Sequence, residues 1–281
     1  MVLEGPSADA PTVVFEAGAG ATRSSWALVQ PRVAAVARAV VYDRAGLGRS
    51  DPDPAGRTLD RMADDLVDVL RSVGPAVVVG HSAGGPIARL AAARCVLGPG
   101  SADAISQVGC ESRGDLPASP SVTGLVLVDP TDEAADLLFS PVFRRLERGY
   151  LRAMRPLAAT GLLKLLYRPM LRAVPADVRA DLLREAFTPG VLRTQAEQAR
   201  TFLDELATWR TTPPALGDVP VTVISGGRPG DGMTASMRAA ANAAHAASLP
   251  RGRHVIAPRS GHLVPFTEPD VITGEVLRLL P

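Results

Sequence analysis

Short apolar segments alternate with longer amphipathic segments along the first half of the chain. The short segments are rich in β-branched residues and end at Gly, Pro or Asp, which is typical of buried strands. They lie at 13–15, 40–42, 76–79 and 125–128. The longer segments carry apolar residues three and four positions apart, which predicts helices at 26–38, 59–73 and 86–96. Strands that alternate with helices of this length predict βαβ units and a mainly parallel sheet.

The alternation stops in the middle of the chain. Between 133 and 216 the pattern is helical with proline and glycine breaks, and predicted strands return at 219–225 and 253–257. We therefore predict an α/β core, formed by residues 1–132 and 213–281, in which helices flank a mostly parallel central sheet. Residues 133–212 are predicted to form a helical cap inserted in that core. A segment at 97–122, rich in Gly, Pro, Ser and Asp, is interpreted as a surface insertion rather than a functional loop.

The composition is that of a globular protein with little net charge. Of 281 residues, 46% are hydrophobic, and 30 Lys+Arg against 29 Asp+Glu give a formal net charge of +1. This balance gives no reason to expect a nucleic-acid partner. No segment approaches the roughly 20 apolar residues that cross a bilayer, and the first residues lack the features of a secretory signal. We expect a cytoplasmic protein without stable membrane insertion, in which Cys95 and Cys110 are reduced thiols, with a disulfide between them as the alternative.

The strongest chemical signal lies between a predicted strand and a predicted helix, where the chain reads Gly80-His81-Ser82-Ala83-Gly84. The pattern G-x-S-x-G in this position predicts a sharp turn that lifts Ser82 above the end of the strand. A free serine is a weak nucleophile, so it needs a base within hydrogen-bond reach and a third group that orients the base. A glycine-rich turn that carries a serine by coincidence is the alternative, and the strand–helix context favours the nucleophile.

The base is expected among four histidines. His81 adjoins the serine on a tight turn, where neighbouring side chains face apart, and His245 lies in a helical pattern as a surface or core-edge residue. His254 begins a predicted strand. His262 follows the last predicted strand in a loop that opens on the same carboxyl edge of the sheet as Ser82, where ligands bind in parallel sheets. We therefore predict His262 as the base.

Five motifs follow one another along the chain, at 16–20, 42–50, the turn at Ser82, 127–130 and 260–262. In this order they make the chain resemble the α/β-hydrolase superfamily, and in particular its esterase- and lipase-like members with a helical cap. The resemblance covers nearly the whole chain and implies that two backbone N–H groups, those of Ala19 and Ala83, form an oxyanion hole. Many relatives carry His-Gly where this chain has Ala17-Gly18. This difference does not affect an oxyanion hole that is formed by backbone N–H groups.

The acid of the expected triad has more than one candidate. In most relatives it follows the strand at 219–225, where this chain offers Asp231 in a glycine- and proline-rich loop. A minority of relatives keep it after the strand at 125–128, where Asp129 stands. We predict Asp129, because a carboxylate at a strand end is rigidly placed. Asp231 is the main alternative, and Asp132 and Glu133 are less favoured candidates.

The resemblance implies a serine hydrolase that cleaves carboxylic esters through an acyl-enzyme, with no metal and no cofactor. A serine rather than an aspartate at the turn argues against haloalkane- and epoxide-opening chemistry. Lactonase, thioesterase, amidase, C–C hydrolase and acyltransferase activities use the same machinery, and a non-catalytic ligand-binding protein is the alternative from another class. The expected partner is a small-molecule ester with an apolar part.

The predicted cap is basic between 144 and 172, with eight cations against the single acid Glu147. We interpret these cations as a solvated helix face in an arginine-rich protein, rather than as a site for acidic substrates or a membrane surface. The aromatic residues that we expect in the wall of the pocket are Trp26, Phe139, Phe143, Phe187 and Trp209.

Overall fold

The computed structural model describes residues 1–97, 121–169, 171, 174–228 and 235–281. Its centre is a seven-stranded sheet in the order β1-β3-β2-β4-β5-β6-β7, in which β1 runs antiparallel to β3 and every other neighbouring pair is parallel. The predicted mostly parallel sheet is therefore confirmed. The strands are β1 (Val2–Leu3), β2 (Thr12–Glu16), β3 (Arg38–Val41), β4 (Ala76–His81), β5 (Val122–Val128), β6 (Val221–Gly226) and β7 (Gly252–Ala257).

Helices cover both faces of the sheet. On one face α2 (Leu59–Val73), α3 (Gly84–Leu97) and α10 (Ala235–Ala247) pack against the strands in one apolar cluster. On the other face α1 (Gln30–Ala34) and α12 (Pro269–Leu279) pack in a second cluster. Because both faces are covered, every residue of β2, β4 and β6 is buried, as expected for strands in a parallel sheet.

The clearest sequence pattern, that of α2, has a direct structural cause. Its apolar residues form one stripe, which is buried against the sheet and α3. The Thr58 side chain accepts a hydrogen bond from the Arg61 N–H and caps the first turn, and Gly74 ends the helix with a φ of 81°. The stripe is Leu59, Met62, Leu66 and Leu70.

Between β5 and β6 the described residues form six helices: α4 (Asp136–Phe139), α5 (Pro141–Ala159), α6 (Leu162–Tyr167), α7 (Ala176–Glu185), α8 (Pro189–Gln198) and α9 (Phe202–Thr208). Helix α9 packs in the same apolar cluster as α2 and α3, so the last part of this segment shares the main core. The division into a core (1–132 and 213–281) and a cap (133–212) stays a prediction.

After β7, the short helix α11 (Val264–Thr267) precedes α12.

Some predictions fall partly or wholly outside the described residues. The structure does not describe most of the segment 97–122, including Cys110, and it does not describe Asp231. Cys95, in α3, is half-buried as a free thiol, and its burial raises the pKa of the thiol. Within the described ranges, none of the helices is long and apolar enough to cross a bilayer.

Candidate active site

Ser82 stands in the sharp turn between β4 and α3, with a φ of 54°, a strained value for a residue other than glycine. Two glycines make the turn possible. A Cβ at Gly80 would lie 2.5 Å from the Gly84 carbonyl oxygen, and one at Gly84 would lie 2.6 Å from the carbonyl oxygens of Glu16 and Ala17. The absence of these side chains lets the start of α3 approach β2 and β4 closely. The predicted strand–turn–helix context of Ser82 is what the structure contains.

The side chains of Ser82, His262 and Asp129 form one hydrogen-bonded chain. The Nε2 atom of His262 lies 2.9 Å from the Ser82 Oγ, and its Nδ1 atom lies 2.7 Å from the Asp129 Oδ2. A carboxylate only accepts hydrogen bonds, so the Nδ1 atom carries the hydrogen and the Nε2 atom accepts from the serine hydroxyl. This order is the one in which an imidazole can take the hydroxyl proton.

Asp129 follows β5 directly and is almost fully buried, with a φ of 41°. Its Oδ1 accepts a hydrogen bond of 3.1 Å from the Gly226 N–H at the end of β6, and its own N–H donates to the Ile224 carbonyl at 2.6 Å. The neighbouring strand therefore holds the backbone and one carboxylate oxygen, which leaves the other oxygen directed at His262.

The other acids with described side chains point elsewhere. Asp132 lies 3.1 Å from the Nδ1 of His245, and Glu133 accepts two hydrogen bonds, of 2.6 and 2.7 Å, from Arg89. Asp231 lies outside the described residues. Of the candidates that can be compared, Asp129 is the one in contact with His262.

The loop that carries His262 is held from two sides. Glu268 accepts hydrogen bonds from the Arg259 N–H at 2.8 Å and the Ser260 hydroxyl at 2.7 Å. On the other side, the Nε2 of His81 lies 2.9 Å from the His262 carbonyl oxygen. Burial, followed by the nearby His262, lowers the pKa of His81 to about 3. His81 is therefore neutral and donates this hydrogen bond, a contact that sequence reasoning missed.

The two expected oxyanion donors border the same cavity as Ser82. Ala19 and Ala83 both line it, and within the described part of the chain neither backbone N–H donates to a protein acceptor. The loop that carries Ala19 is anchored by Arg44, which donates to the carbonyl oxygens of Ala17 and Gly18 and forms a buried ion pair with Glu16. These two free N–H groups can receive a negatively charged oxygen near the serine.

The cavity above Ser82 has a volume of about 210 Å³. Its walls are mainly apolar, contributed by α2, α3 and the helices between β5 and β6, and Gln195 and Gln198 of α8 are among its polar groups. The Gln198 Nε2 is buried and has no hydrogen-bond partner among the described residues. The apolar wall residues are Met62, Ile87, Leu138, Phe143, Phe202 and Leu203.

Of the five aromatic residues expected in the wall, Phe143 alone lines this cavity. Trp26 packs on Phe15 in the second core cluster, and Phe187 stacks on Tyr167. Arginine side chains lie over the rings of the other two, Arg210 over Phe139 and Arg89 over Trp209. Aromatic residue type alone did not indicate the direction in which each side chain points.

One group of described residues could in principle hold a metal ion, because ligand atoms of Asp132, Glu133 and His245 lie within 4.8 Å of one another. All three side chains are buried, which corrects the expectation that His245 lies at the surface or the edge of the core. The Arg89 guanidinium already binds both Glu133 oxygens. A cation in that position balances the carboxylates without a metal.

Comparison with known proteins identifies the family. The sequence profile of the Alpha/beta hydrolase family matches residues 13–275, so the chain belongs to this family of hydrolases. An "AB hydrolase superfamily protein" of Gibberella zeae is 27% identical over 96% of this chain and 86% of its own length. The "Putative carbamate hydrolase RutD" of a Caulobacter species is 40% identical, but over 29% of this chain and 31% of RutD.

Among solved structures, a thermophilic esterase from Thermogutta terrifontis aligns with a TM-score of 0.66 and 20% identity. The alignment covers 99% of this chain and 90% of the esterase. At that identity the likeness establishes the shared fold, because one fold serves many chemistries.

Proposed function

We propose that this protein is a serine hydrolase that cleaves carboxylic esters through Ser82, His262 and Asp129. The observation that carries the proposal is the pair of hydrogen bonds of 2.9 and 2.7 Å that join the three side chains in that order. The Ser82 Oγ attacks the ester carbonyl carbon while the His262 Nε2 takes the hydroxyl proton. Asp129 stabilises the imidazolium that forms and fixes the orientation of the ring.

The reaction then has two stages, acylation and deacylation, each with its own tetrahedral intermediate. The His262 Nε2 gives its proton to the leaving alkoxide, the C–O bond of the ester breaks, and the acyl group stays on Ser82. A water molecule, deprotonated by the same nitrogen, attacks the acyl carbon, and the proton returns to the Ser82 Oγ as the carboxylic acid leaves. We assign the N–H groups of Ala19 and Ala83 to the negatively charged oxygen in both stages; one such donor accelerates a reaction by roughly 10²–10³.

The cavity supports a small or medium substrate with an apolar part. Its volume of about 210 Å³ and its apolar walls suit a short hydrocarbon chain beside the reacting carbonyl. Residues of α5, α8 and α9 form part of these walls, which supports the hypothesis that residues 133–212 cap the site.

An active-site label and a substrate panel test the proposal. We expect a fluorophosphonate probe to modify the wild type at Ser82 and p-nitrophenyl butyrate to be hydrolysed, with both reactions lost in S82A and H262A. Ser7, an exposed serine, provides the matched control S7A, which should behave as the wild type. A folded wild type that neither labels nor hydrolyses any ester would contradict the proposal and favour a ligand-binding protein.

Carbamates belong in the same panel. The 86-residue match to RutD motivates a comparison of p-nitrophenyl carbamates with esters, because both react by acyl transfer to a serine. If kcat/KM for carbamates is at least tenfold above that for matched esters, and this activity is lost in S82A, carbamate cleavage becomes the proposed function in place of ester cleavage.

A further inference from the structure

A second cavity, of about 540 Å³, lies between α5 and the segment formed by α8 and α9. We call it the arginine groove, because five arginines and two acids line it. Its apolar floor consists of Leu151, Leu203, Ala196 and Ala199. The charged lining residues are Arg144, Arg148, Arg152, Arg155, Arg200, Glu147 and Asp204.

The positive charge of the groove is largely uncompensated. Arg144 pairs with Asp204 at 2.6 Å, and the Arg148 Nε donates to the Arg144 carbonyl oxygen. Among the described residues, no acid forms an ion pair with Arg152, Arg155 or Arg200. Arginine abundance alone does not explain this arrangement, because the α5 arginines at 144, 148, 152 and 155 recur every three or four residues and therefore share one helix face.

The arginine groove adjoins the cavity above Ser82. Glu147, Ala199 and Leu203 line both spaces. The arginine groove is therefore the space next to the cavity in which a carbonyl would react at Ser82. Glu147 is half-buried at the junction, and its burial raises the pKa of its carboxyl, an effect that Arg144 partly opposes.

We propose that the arginine groove binds an anionic group, a carboxylate or a phosphate, at the far end of the substrate whose carbonyl reacts at Ser82. This inference rests on the proposed ester hydrolysis. Guanidinium groups bind carboxylate and phosphate oxygens through pairs of parallel hydrogen bonds, and the apolar floor can contact the methylene groups between the carbonyl and the anion. The substrate class is therefore an ester whose chain ends in a negative charge, and the arginines that line the groove form a binding site rather than a solvated surface.

Half-esters of dicarboxylic acids test this inference. The mono-p-nitrophenyl esters of adipic and suberic acid are compared with p-nitrophenyl hexanoate and octanoate, which have the same chain lengths without the charge. We expect the R152Q/R200Q variant to lower the ratio of kcat/KM between half-ester and neutral ester at least tenfold. E147Q should raise that ratio, because it removes the one acid at the junction.

The matched control is R145Q/R193Q, which removes two exposed arginines of α5 and α8 that do not line the groove. It changes the net charge by the same amount and should leave the ratio within twofold of the wild type. Equal effects of the two double variants would overturn the inference, since the preference for the half-ester would then depend only on the net charge of the protein. An unchanged ratio in R152Q/R200Q would also overturn it.

A binding measurement separates this inference from the proposed function. Isothermal titration of S82A with adipate and with hexyl phosphate reports on the groove without catalysis, and a comparison of the two identifies the preferred anion. We expect binding of at least one of them that R152Q/R200Q weakens about tenfold and R145Q/R193Q does not. Absence of binding would overturn the inference even if esters are hydrolysed, and binding without hydrolysis would contradict the proposed function alone.

Discussion

The Nε2 of His81 lies 2.9 Å from the carbonyl oxygen of His262, so the residue before the candidate nucleophile supports the candidate base. The two imidazole rings lie close together, with centroids 4.8 Å apart. His81 ends β4 and His262 stands in the loop after β7. This contact therefore ties the end of β4 to the loop that carries His262, at the carboxyl edge of the sheet.

We predict that H81L lowers kcat for p-nitrophenyl butyrate about tenfold with little change in KM. The substitution removes the donor to the His262 carbonyl, a contact worth about 0.5–1.5 kcal/mol, and leaves the substrate cavity unchanged. H81Q, whose amide can donate to the same oxygen, should recover part of the loss. Steady-state kinetics of the three proteins check the prediction, and an H81L variant with unchanged kcat, or one in which KM alone rises, would count against it.

The buried His81 also predicts how stability depends on pH. Its pKa is about 3 in the folded protein and 6.5 ordinarily, so between these values the unfolded chain binds more protons. The contribution of a neutral His81 is fully present above pH 6.5 and is lost as the pH falls toward 3, by at most about 1.4 kcal/mol per pH unit. Urea unfolding at pH 5.0, 6.0 and 7.5 should give a shallower pH dependence for H81Q than for the wild type; parallel curves would contradict the prediction.

Asp129 and Asp231 are distinguished by one pair of variants. We expect D129N to lower kcat by about 10³–10⁴, because an amide in place of the carboxylate favours the wrong tautomer of His262, whereas D231N should retain wild-type kcat within twofold. Circular dichroism and thermal unfolding of both variants control for misfolding. The opposite result, loss of activity in D231N alone, would identify Asp231 as the acid of the triad.

The buried amide nitrogen of Gln198, which has no hydrogen-bond partner among the described residues, predicts a trade-off between stability and substrate choice. A buried donor without a partner costs about 1–3 kcal/mol, so Q198M, which has a similar volume, should raise the free energy of unfolding. It should also lower kcat/KM for esters with a hydrogen-bond acceptor in the chain, relative to plain alkyl esters. Q195M, at a neighbouring residue of the same cavity wall whose amide is only half-buried, is the comparison. A destabilised Q198M would mean that the amide is satisfied in solution.

The parallel sheet, Ser82 and His262 could be predicted from the sequence, because short apolar segments and glycines mark the strand ends at which these residues stand. The position of Asp129 at a strand end favoured it over Asp231, but its contact with His262 could not be derived from the sequence. It depends on the positive φ at Asp129 and on the Gly226 N–H of a distant strand, and no nearby pattern specifies either. Most of the aromatic wall was predicted wrongly, because residue type does not report which face of a helix meets the cavity.

Glu185 of α7 predicts how the helical segment is attached to the rest of the protein. It accepts a 2.7 Å hydrogen bond from Arg23, which also pairs with Asp43, and a 2.8 Å hydrogen bond from Arg49. Burial alone would raise its pKa, but these arginines lower it below the ordinary 4.5. The ion pair therefore stabilises the protein above pH 4.5 and is lost as the pH falls through the lowered value.

We expect E185Q to speed proteolytic cleavage within 133–212 severalfold at pH 7.5, because Arg23 and Arg49 then lose a charged partner in a buried setting. The difference from the wild type should shrink only as the pH falls through the lowered pKa of Glu185, where the carboxylate takes up a proton. D181N removes a more exposed carboxylate of the same helix and should match the wild type. Timed digestion with pepsin at a series of pH values from 4 down to 2 and with trypsin at pH 7.5, with the fragments identified by mass spectrometry, measures both effects. Equal cleavage rates of E185Q and D181N at pH 7.5 would show that α7 is held by its apolar contacts alone.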